Sequence, residues 1–183
     1  MGQIAESYKR WRHTRGYGVH SPYAYSVVKE VVRPGRRYAY YGYDDIDNAI
    51  DSNAVRHARR MATTLLRLAA FLRTDTAFIP RTENSNLYLT ALKAANSKIK
   101  ITSAVQEASR CKLVCSTSDF VPLDTLKSLI RTQGRAIAIF NAPDGWKDRL
   151  FEEIGEGLML HGSHNLIVIS RPGMQKVSYS VII

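Results

Sequence analysis

Pairs of histidines and cysteines are the first residues in this chain whose types and spacing could support chemistry. His161 and His164 have an H-x-x-H spacing, and Cys111 and Cys115 have a C-x3-C spacing. A zinc ion needs three or four converging ligands, and neither pair has a further ligand beside it. The histidine pair is therefore predicted to lie in a solvated turn between a helix and a strand, and the cysteines are typical of small buried hydrophobic residues. No metal site is predicted.

Nucleophile and nucleotide motifs are missing from the sequence. It contains no G-x-S-x-G elbow, which the serine of many hydrolases requires, and no Walker loop, which cradles phosphates in P-loop proteins. Neither serine hydrolase chemistry nor P-loop nucleotide binding is indicated.

A strand, a turn and a helix follow one another in residues 76–92. The apolar strand ends at Ile79, residues 80–83 form the turn, and residues 84–86 open a helix that carries Leu87 and Leu89. In α/β folds a ligand usually sits at such a turn, against the helix N-terminus. Glycines are used there because a side chain would hold the ligand away from the backbone. The order of strand, turn and helix is typical of an enzyme scaffold. The turn has no glycine, which indicates that the binding site is altered.

The rest of the chain after residue 76 alternates between strands and helices. This alternation predicts an α/β fold with parallel strands and right-handed crossovers. About six residues separate the last two strands, which is too short for a helical crossover and predicts an antiparallel hairpin. The predicted strands are 76–79, 98–103, 112–116, 135–140, 165–170 and 177–183, and the predicted helices between them include 105–110, 122–131 and 146–159.

The region before the alternation is helical and basic. Its first 43 residues hold eight of the ten tyrosines and eight Lys or Arg against two Glu. Residues 3–13 are predicted to form a helix, Ser21 to cap a second one that begins at Pro22, and Ser52 or Asn53 to cap a long amphipathic one. That long helix, residues 53–73, has an apolar stripe for the sheet and an arginine face, which includes Arg67, for water. We expect residues 1–52 to form a helical extension that packs on an α/β core of residues 53–183, within a single domain.

Composition and charge limit the function classes. The chain has 183 residues, of which 45% are hydrophobic, which suffices for one domain with a sizeable core. No apolar run approaches the ~20 residues that span a bilayer, and charged residues interrupt the N-terminus where a signal peptide would be apolar. A cytoplasmic location and no membrane partner are therefore expected. The net charge of +10 favours contact with anions without selecting among them.

Residues 16–23, Gly-Tyr-Gly-Val-His-Ser-Pro-Tyr, together with residues 85–89 and the β-α alternation, carry a family resemblance. The chain resembles the class I S-adenosylmethionine-dependent methyltransferases over most of its length. Within them it is similar to an O-methyltransferase-like, Bacteroides-type group with a helical N-terminal extension. The resemblance implies a Rossmann-like three-layer sandwich whose sheet is mainly parallel, in the order 3-2-1-4-5 plus an antiparallel edge strand. It also implies S-adenosylmethionine as the cofactor of an active member.

The same resemblance assigns positions to the cofactor, and most of them are substituted. It implies an acid-x-Gly-x-x-x-Gly pattern after the first strand, where Ala77, Ile79 and Glu83 stand. It implies an acid for the ribose hydroxyls after the second strand, where Ser103 stands, and an Asp-Gly pair after the fourth strand, where Asn141 begins the turn. The implied cofactor-binding positions are thus Ile79, Arg81, Thr82, Glu83, Ser103 and Asn141.

These substitutions all disfavour the cofactor. Ile79 puts a branched side chain where the ligand needs bare backbone. Glu83 suits the helix dipole by about 0.5 kcal/mol but opposes the carboxylate of the ligand. Ser103 offers a neutral hydrogen bond in place of a charge-assisted pair, and Asn141 cannot act as a base. A degenerate member that binds no cofactor is predicted.

Three functions stay open at this point. The first is a degenerate, non-catalytic methyltransferase-like module that binds a protein partner or itself, the latter through a sheet edge near residues 177–183. The second is an active methyltransferase with an atypical cofactor site. The third is a nucleic-acid-binding module, because aromatic residues interleaved with cations can stack bases and neutralise phosphates; its candidate residues are Arg12, Arg15, Arg33, Arg36, Arg37 and Tyr40.

Overall fold

The structure, a computed structural model, describes residues 2–33, 42–49, 56–117 and 119–183. In these ranges a seven-stranded sheet is flanked by helices. The strands are β1 (Thr76–Phe78), β2 (Lys100–Thr102), β3 (Leu113–Thr117), β4 (Ala136–Phe140), β5 (Gly157–His161), β6 (Leu166–Ser170) and β7 (Val177–Ser180). The helices are α1 (Gly2–Thr14), α2 (Pro22–Val27, continued by a π-helical stretch over Val28–Val32), α3 (Gly42–Ala49), α4 (Arg56–Phe71), α5 (Ser85–Ala95), α6 (Leu123–Arg131) and α7 (Trp146–Glu153), with a 3₁₀ helix at Val105–Arg110.

The sheet has the order β2-β1-β3-β4-β6-β5-β7. Strands β2, β1, β3 and β4 are parallel to one another, β6 is antiparallel to both of its neighbours, and β7 is parallel to β5. Apolar residues are buried in two clusters, one for each face of the sheet, which gives the layered arrangement expected of alternating strands and helices. The predicted α/β fold class is confirmed.

The predicted strand order 3-2-1-4-5 is wrong. Strand β3 pairs with both β1 and β4 and is not the outer strand. The physical reason is burial: four of the five β3 residues are buried, whereas β2 is exposed or half-buried along its length. A strand that is apolar on both faces must be covered on both faces, so β3 takes a central position and β2 the edge.

The predicted C-terminal hairpin is also wrong, because a strand was missed. The helix predicted over residues 146–159 ends at Glu153, and residues 157–161 form β5, which lies between β6 and β7. Gly157 opens this strand with a φ of 142°, and a Cβ there would collide with the Ile169 carbonyl oxygen. The backbone approach that pairs β5 with β6 therefore requires glycine at this position.

The N-terminal helices pack onto the sheet. Ser21 accepts a hydrogen bond from the Ala24 N–H at 3.3 Å, which confirms the predicted cap. The α2 segment contributes fully buried side chains to the same apolar cluster as the sheet. Helix α1 lies against β7, the edge strand. No helix in the ranges that the structure describes is long and apolar enough to cross a bilayer.

The long helix α4 confirms the predicted amphipathic element, with one correction. Arg67 was expected on a solvated face, but only 8% of it is exposed. Its guanidinium donates to the Val31 carbonyl oxygen at 2.6 Å, the Tyr43 hydroxyl at 3.1 Å and the Thr64 hydroxyl at 3.1 Å. Three acceptors satisfy the buried charge and tie α4 to the N-terminal helices. The cap expected at Ser52 or Asn53 lies outside the described residues.

Candidate functional site

The chain changes direction in the sheet at β1. It runs from β1 outward to β2 and then returns past β1 to β3 on the other side. In open α/β sheets, ligands bind outside the carboxyl ends of the strands at such a switch point. We call the residues that follow β1, β2 and β3 there, 79–85, 103–104 and 119–120, the carboxyl edge.

The turn after β1 is closed by its own side chains. The Ser85 hydroxyl accepts a hydrogen bond from the Thr82 N–H at 2.5 Å and lies 2.8 and 2.7 Å from the carbonyl oxygens of Pro80 and Thr82. The Ser85 N–H donates to the Thr82 carbonyl oxygen at 3.1 Å, and the Ile79 N–H donates to the Thr102 carbonyl oxygen at 3.0 Å. Three backbone donors at this turn, those of Ile79, Thr82 and Ser85, are thus taken by the protein and are not free for an anionic or nucleotide ligand.

Apolar and aromatic side chains are buried beneath this turn. Ile79, Tyr88 and Phe140 are each at most 3% exposed and belong to one apolar cluster. The rings of Tyr88 and Phe140 lie 5.4 Å apart between centroids, and the Tyr88 hydroxyl points to the Met61 sulfur at 3.8 Å. Burial raises the pKa of Tyr88, so its phenol stays protonated at neutral pH. The predicted branched side chain at Ile79 is therefore part of the core.

The remaining positions that the resemblance assigned are spread over three places, after β1, after β2 and after β4. Arg81 and Glu83 are exposed on the closed turn, and Ser103 is exposed directly after β2. Asn141 is also exposed, with a left-handed φ of 55° that asparagine tolerates better than most residues. Its N–H donates to the Asn165 side-chain oxygen at 3.3 Å.

The corrected strand order places Asn141 away from β1. It follows β4, which β3 separates from β1. Residues 119–120, which follow β3, hold the place beside β1 that the predicted order gave to Asn141. The hydroxyl of Ser85 was not singled out by sequence reasoning, although a serine three residues after Thr82 at a helix start is a known local pattern for bonding turn backbone.

A separate cavity of about 360 Å³ lies between α1 and the ends of β4, β5 and β7. The charged residues of this cavity are of both signs, so they favour neither an anionic nor a cationic ligand. These residues are Lys9, Arg10, Lys147, Glu6, Asp144 and Asp148, and His161 and His164 also line the cavity. Arg10 is held there by the hydroxyls of Ser180 at 3.2 Å and Ser163 at 2.9 Å.

The H-x-x-H pair spans the turn between β5 and β6, and not one between a helix and a strand. Burial lowers the pKa of His161 to about 4, with a further contribution from the nearby charges of Lys147 and Arg10. His161 is therefore neutral at pH 7. In the ranges that the structure describes, no three metal-binding side chains converge.

The two cysteines are buried and unbonded to each other. Burial raises the pKa of the Cys115 thiol, so it is protonated and a poor nucleophile. The prediction of two buried hydrophobic residues is confirmed.

The outer face of α1 carries aromatic rings between cations. Tyr8 and Trp11 are 60% and 40% exposed and stack with 5.9 Å between centroids. The Arg15 guanidinium lies 4.1 Å from the Trp11 ring, and the Arg12 guanidinium lies 6.0 Å from the Tyr8 ring. We call these four residues the α1 ladder.

The other residues predicted for nucleic acid are not part of the α1 ladder. Arg33 is exposed directly after the α2 segment. Arg36, Arg37 and Tyr40 lie outside the described residues.

Comparisons with known proteins return one distant likeness. A crystal structure of a methyltransferase from Geobacter sulfurreducens is similar with a TM-score of 0.41 and 10% sequence identity, over 69% of this chain and 85% of that chain. No protein-family model and no curated protein matches the sequence. A likeness at this distance carries no argument about activity, so function is argued below from the geometry of the site.

Proposed function

We propose that this chain is a non-catalytic binding module on a methyltransferase-like α/β scaffold. The observation that carries the proposal is the closed turn at the switch point, where the Ser85 hydroxyl takes the Thr82 N–H. A cofactor that sat in the usual place would have to displace this bond and the buried Ile79 side chain.

Opening the carboxyl edge would cost a ligand part of its binding free energy. A net hydrogen bond is worth about 1 kcal/mol, and exposing a buried isoleucine costs about 2 kcal/mol more. Ser103 at the end of β2 offers no carboxylate for ribose hydroxyls, and exposed Glu83 adds a like charge near an anionic ligand. Each of these terms lowers the affinity for S-adenosylmethionine.

Isothermal titration calorimetry with S-adenosylmethionine and S-adenosylhomocysteine tests the proposal. We expect no saturable heat for the wild-type protein with either compound at millimolar concentration. A variant with a glycine-bearing turn, Ile79→Gly with Glu83→Gly, serves as the comparison, provided that circular dichroism shows it folded. One-to-one binding by the wild-type protein would overturn the proposal.

The α1 ladder favours a second candidate function, the binding of single-stranded nucleic acid. Exposed stacked rings between guanidinium groups offer surfaces for bases, and such stacking is worth about 1–3 kcal/mol per base. The net charge of +10 adds sequence-independent attraction to phosphates.

Fluorescence anisotropy with a labelled single-stranded RNA tests this second function. Affinity should fall linearly with salt concentration on logarithmic axes, and Trp11→Ala should weaken it roughly tenfold because a stacking platform is lost. Tyr25→Ala is a matched control, since Tyr25 is also an exposed aromatic but lies on α2. Equal losses in the two variants, or no binding at low salt, would exclude the α1 ladder as the contact.

A further inference from the structure

A second cavity lies at the opposite end of the sheet from the switch point. It has a volume of about 160 Å³, between the amino ends of β3 and β4 and the carboxyl end of β6. We call it the amino-edge cavity; it is lined by Tyr23, Leu72, Thr74, Lys112, Arg135 and Arg171, with backbone and apolar atoms of neighbouring residues. Its volume exceeds the roughly 30 Å³ that one water occupies in the liquid.

Two residues that line this cavity each have a buried polar atom without a partner among the described residues. The Thr74 hydroxyl and the Nη1 of Arg135 have no hydrogen-bond partner in the described part of the protein, and Thr74 is 1% exposed. Buried polar groups in native proteins are nearly always bonded, and an unpaired one lowers stability. Both atoms can donate a hydrogen bond, and both belong to residues that line the cavity.

The charge of the cavity is positive. Three cationic residues line it, and no acidic residue is found among its described lining residues. Lys112 is offset by Asp75, whose carboxylate lies 3.0 Å from its Nζ. Arg135 and Arg171 form no ion pair with a described acid, and the Arg171 guanidinium lies 3.9 Å from the Tyr23 ring. Two guanidinium groups therefore have no counter-charge among the described residues.

Backbone hydrogen bonds hold the walls of the cavity in place. The Gly134 N–H donates to the Ser170 carbonyl oxygen at 3.0 Å, and the Ser170 N–H donates to the Arg135 carbonyl oxygen at 2.8 Å. The carbonyl oxygen of Thr74 accepts from the Asn96 side chain at 3.0 Å. Fixed walls reduce the ordering cost of binding.

We propose that the amino-edge cavity binds an oxyanion, a phosphate or a carboxylate, carried by a small molecule. The Arg135 guanidinium and the Thr74 hydroxyl donate to its oxygens, and Arg171 supplies the second positive charge. Charge-assisted bonds from a guanidinium to an oxyanion are among the strongest in proteins. Leu72 and Ile169 give the cavity an apolar wall, which suits an anion with an apolar substituent.

Calorimetry and thermal unfolding with phenyl phosphate, inorganic phosphate and benzoate test the proposal, at constant ionic strength set by chloride. We expect saturable one-site binding and a raised melting temperature for at least one oxyanion. Stronger binding of phenyl phosphate than of benzoate identifies a phosphate site, and the reverse identifies a carboxylate site. No saturable binding of any of the three would overturn the proposal.

Variants separate binding from structure. Arg135→Gln and Arg171→Gln should each weaken binding tenfold or more, and the latter residue is exposed, so its loss should leave the fold intact. Thr74→Val should weaken binding several-fold while the melting temperature of the ligand-free protein stays unchanged or rises. Arg110→Gln removes an exposed cation outside the cavity and should change neither quantity. Equal weakening by Arg110→Gln, or unchanged binding in the Arg135 and Arg171 variants, would contradict the proposed site.

Discussion

The polar groups at the two ends of the parallel strands differ in whether they have hydrogen-bond partners within the protein. At the carboxyl edge, the Ser85 hydroxyl takes the Thr82 N–H, and apolar side chains fill the space beneath. At the amino-edge cavity, the Thr74 hydroxyl and one Arg135 nitrogen are buried without partners in the described part of the chain, and the guanidinium groups of Arg135 and Arg171 form no ion pair with a described acid. The fold predicts a ligand at the carboxyl edge, whereas two buried hydrogen-bond donors without a described partner belong to residues of the amino-edge cavity.

This difference shows that the fold predicts where a ligand usually binds, whereas individual side chains decide whether it can bind there. The switch point predicts a ligand at the carboxyl ends because parallel α/β sheets form a crevice there. Whether a crevice remains depends on single side chains; here Ser85 binds the turn backbone and the Ile79 side chain is buried in the core. An unpaired buried donor, by contrast, lowers stability unless a ligand or a water serves it.

Ile79→Ala should give the largest change in stability. We expect the free energy of unfolding to fall by about 2–5 kcal/mol, because a buried isoleucine loses transfer energy and leaves a cavity. Urea unfolding measures it. Ile4→Ala is the matched control, since Ile4 is 83% exposed, and should change stability by about 0.5 kcal/mol or less. A cost at Ile79 as small as at Ile4 would mean that the carboxyl edge is not packed.

Ser85→Ala should be the next largest change at the carboxyl edge. Removal of the hydroxyl leaves the part-buried Thr82 N–H and the carbonyl oxygen of Pro80 without their partner, which costs about 1–3 kcal/mol. Ser97→Ala, at an exposed position, is the control for the substitution itself. Equal stability of the two variants in urea unfolding would show that the turn does not depend on Ser85.

Stability should depend on pH through His161, at the carboxyl end of β5. Burial lowers the pKa of His161 in the folded protein to about 4, whereas its ordinary pKa in the unfolded chain is about 6.5. As the pH falls, the unfolded chain therefore binds a proton at His161 before the folded protein does. Stability is therefore full above pH 6.5 and falls as the pH drops toward 4, by about 1–2 kcal/mol after allowance for partial exposure. His161→Gln should flatten this part of the profile, whereas the same change at exposed His164 should not. A profile that keeps its slope in His161→Gln would contradict the burial of this ring.

Thr74→Val should give the smallest change, and with the opposite sign. Without ligand, loss of an unpaired buried hydroxyl should leave stability unchanged or raise it by up to about 1 kcal/mol. Thr14→Val is the matched control, because the Thr14 hydroxyl donates to the Arg10 carbonyl oxygen and accepts from the Ile182 N–H, and it should destabilise the protein by about 1 kcal/mol. Differential scanning calorimetry compares them, and a loss at Thr74 as large as at Thr14 would mean that its hydroxyl is satisfied.

The α1 helix bears on the prediction that the sheet edge pairs between subunits. His13 Nδ1 lies 3.2 Å from the Ser180 carbonyl oxygen, Thr14 accepts from the Ile182 N–H at 2.8 Å, and Arg60 donates to the Ile182 carbonyl oxygen at 2.9 Å. These bonds occupy edge groups that another strand would need. Self-association through this edge stays a prediction, and it requires α1 to move.

Local patterns in the sequence predicted local structure well. The apolar strand before Ile79, the cap at Ser21 and the stripe of α4 are set by residues close together in the chain. The strand order could not be read in this way, because it depends on which strands are covered on both faces. Strand β5 was missed because its apolar residues continue the helical pattern of α7, and only Gly155 and Gly157 marked the break.

The surroundings of several polar side chains were also hard to predict, because they too depend on residues that are distant in the sequence. Thr74 and Arg135 lie far apart in the sequence and line one cavity only because β1 and β4 flank β3. Arg67 has the spacing of a solvated arginine, and its burial depends on acceptors that the N-terminal helices supply. No local pattern carries such contacts.

The backbone amide of Thr82 tests the closed carboxyl edge most directly. Nitrogen–proton correlation spectra would be recorded while S-adenosylmethionine is added to the wild-type protein at millimolar concentration. A turn closed by Ser85 predicts that the Thr82 and Ile79 amide resonances do not shift. Saturable shifts of these two resonances would contradict it and would favour an active cofactor site.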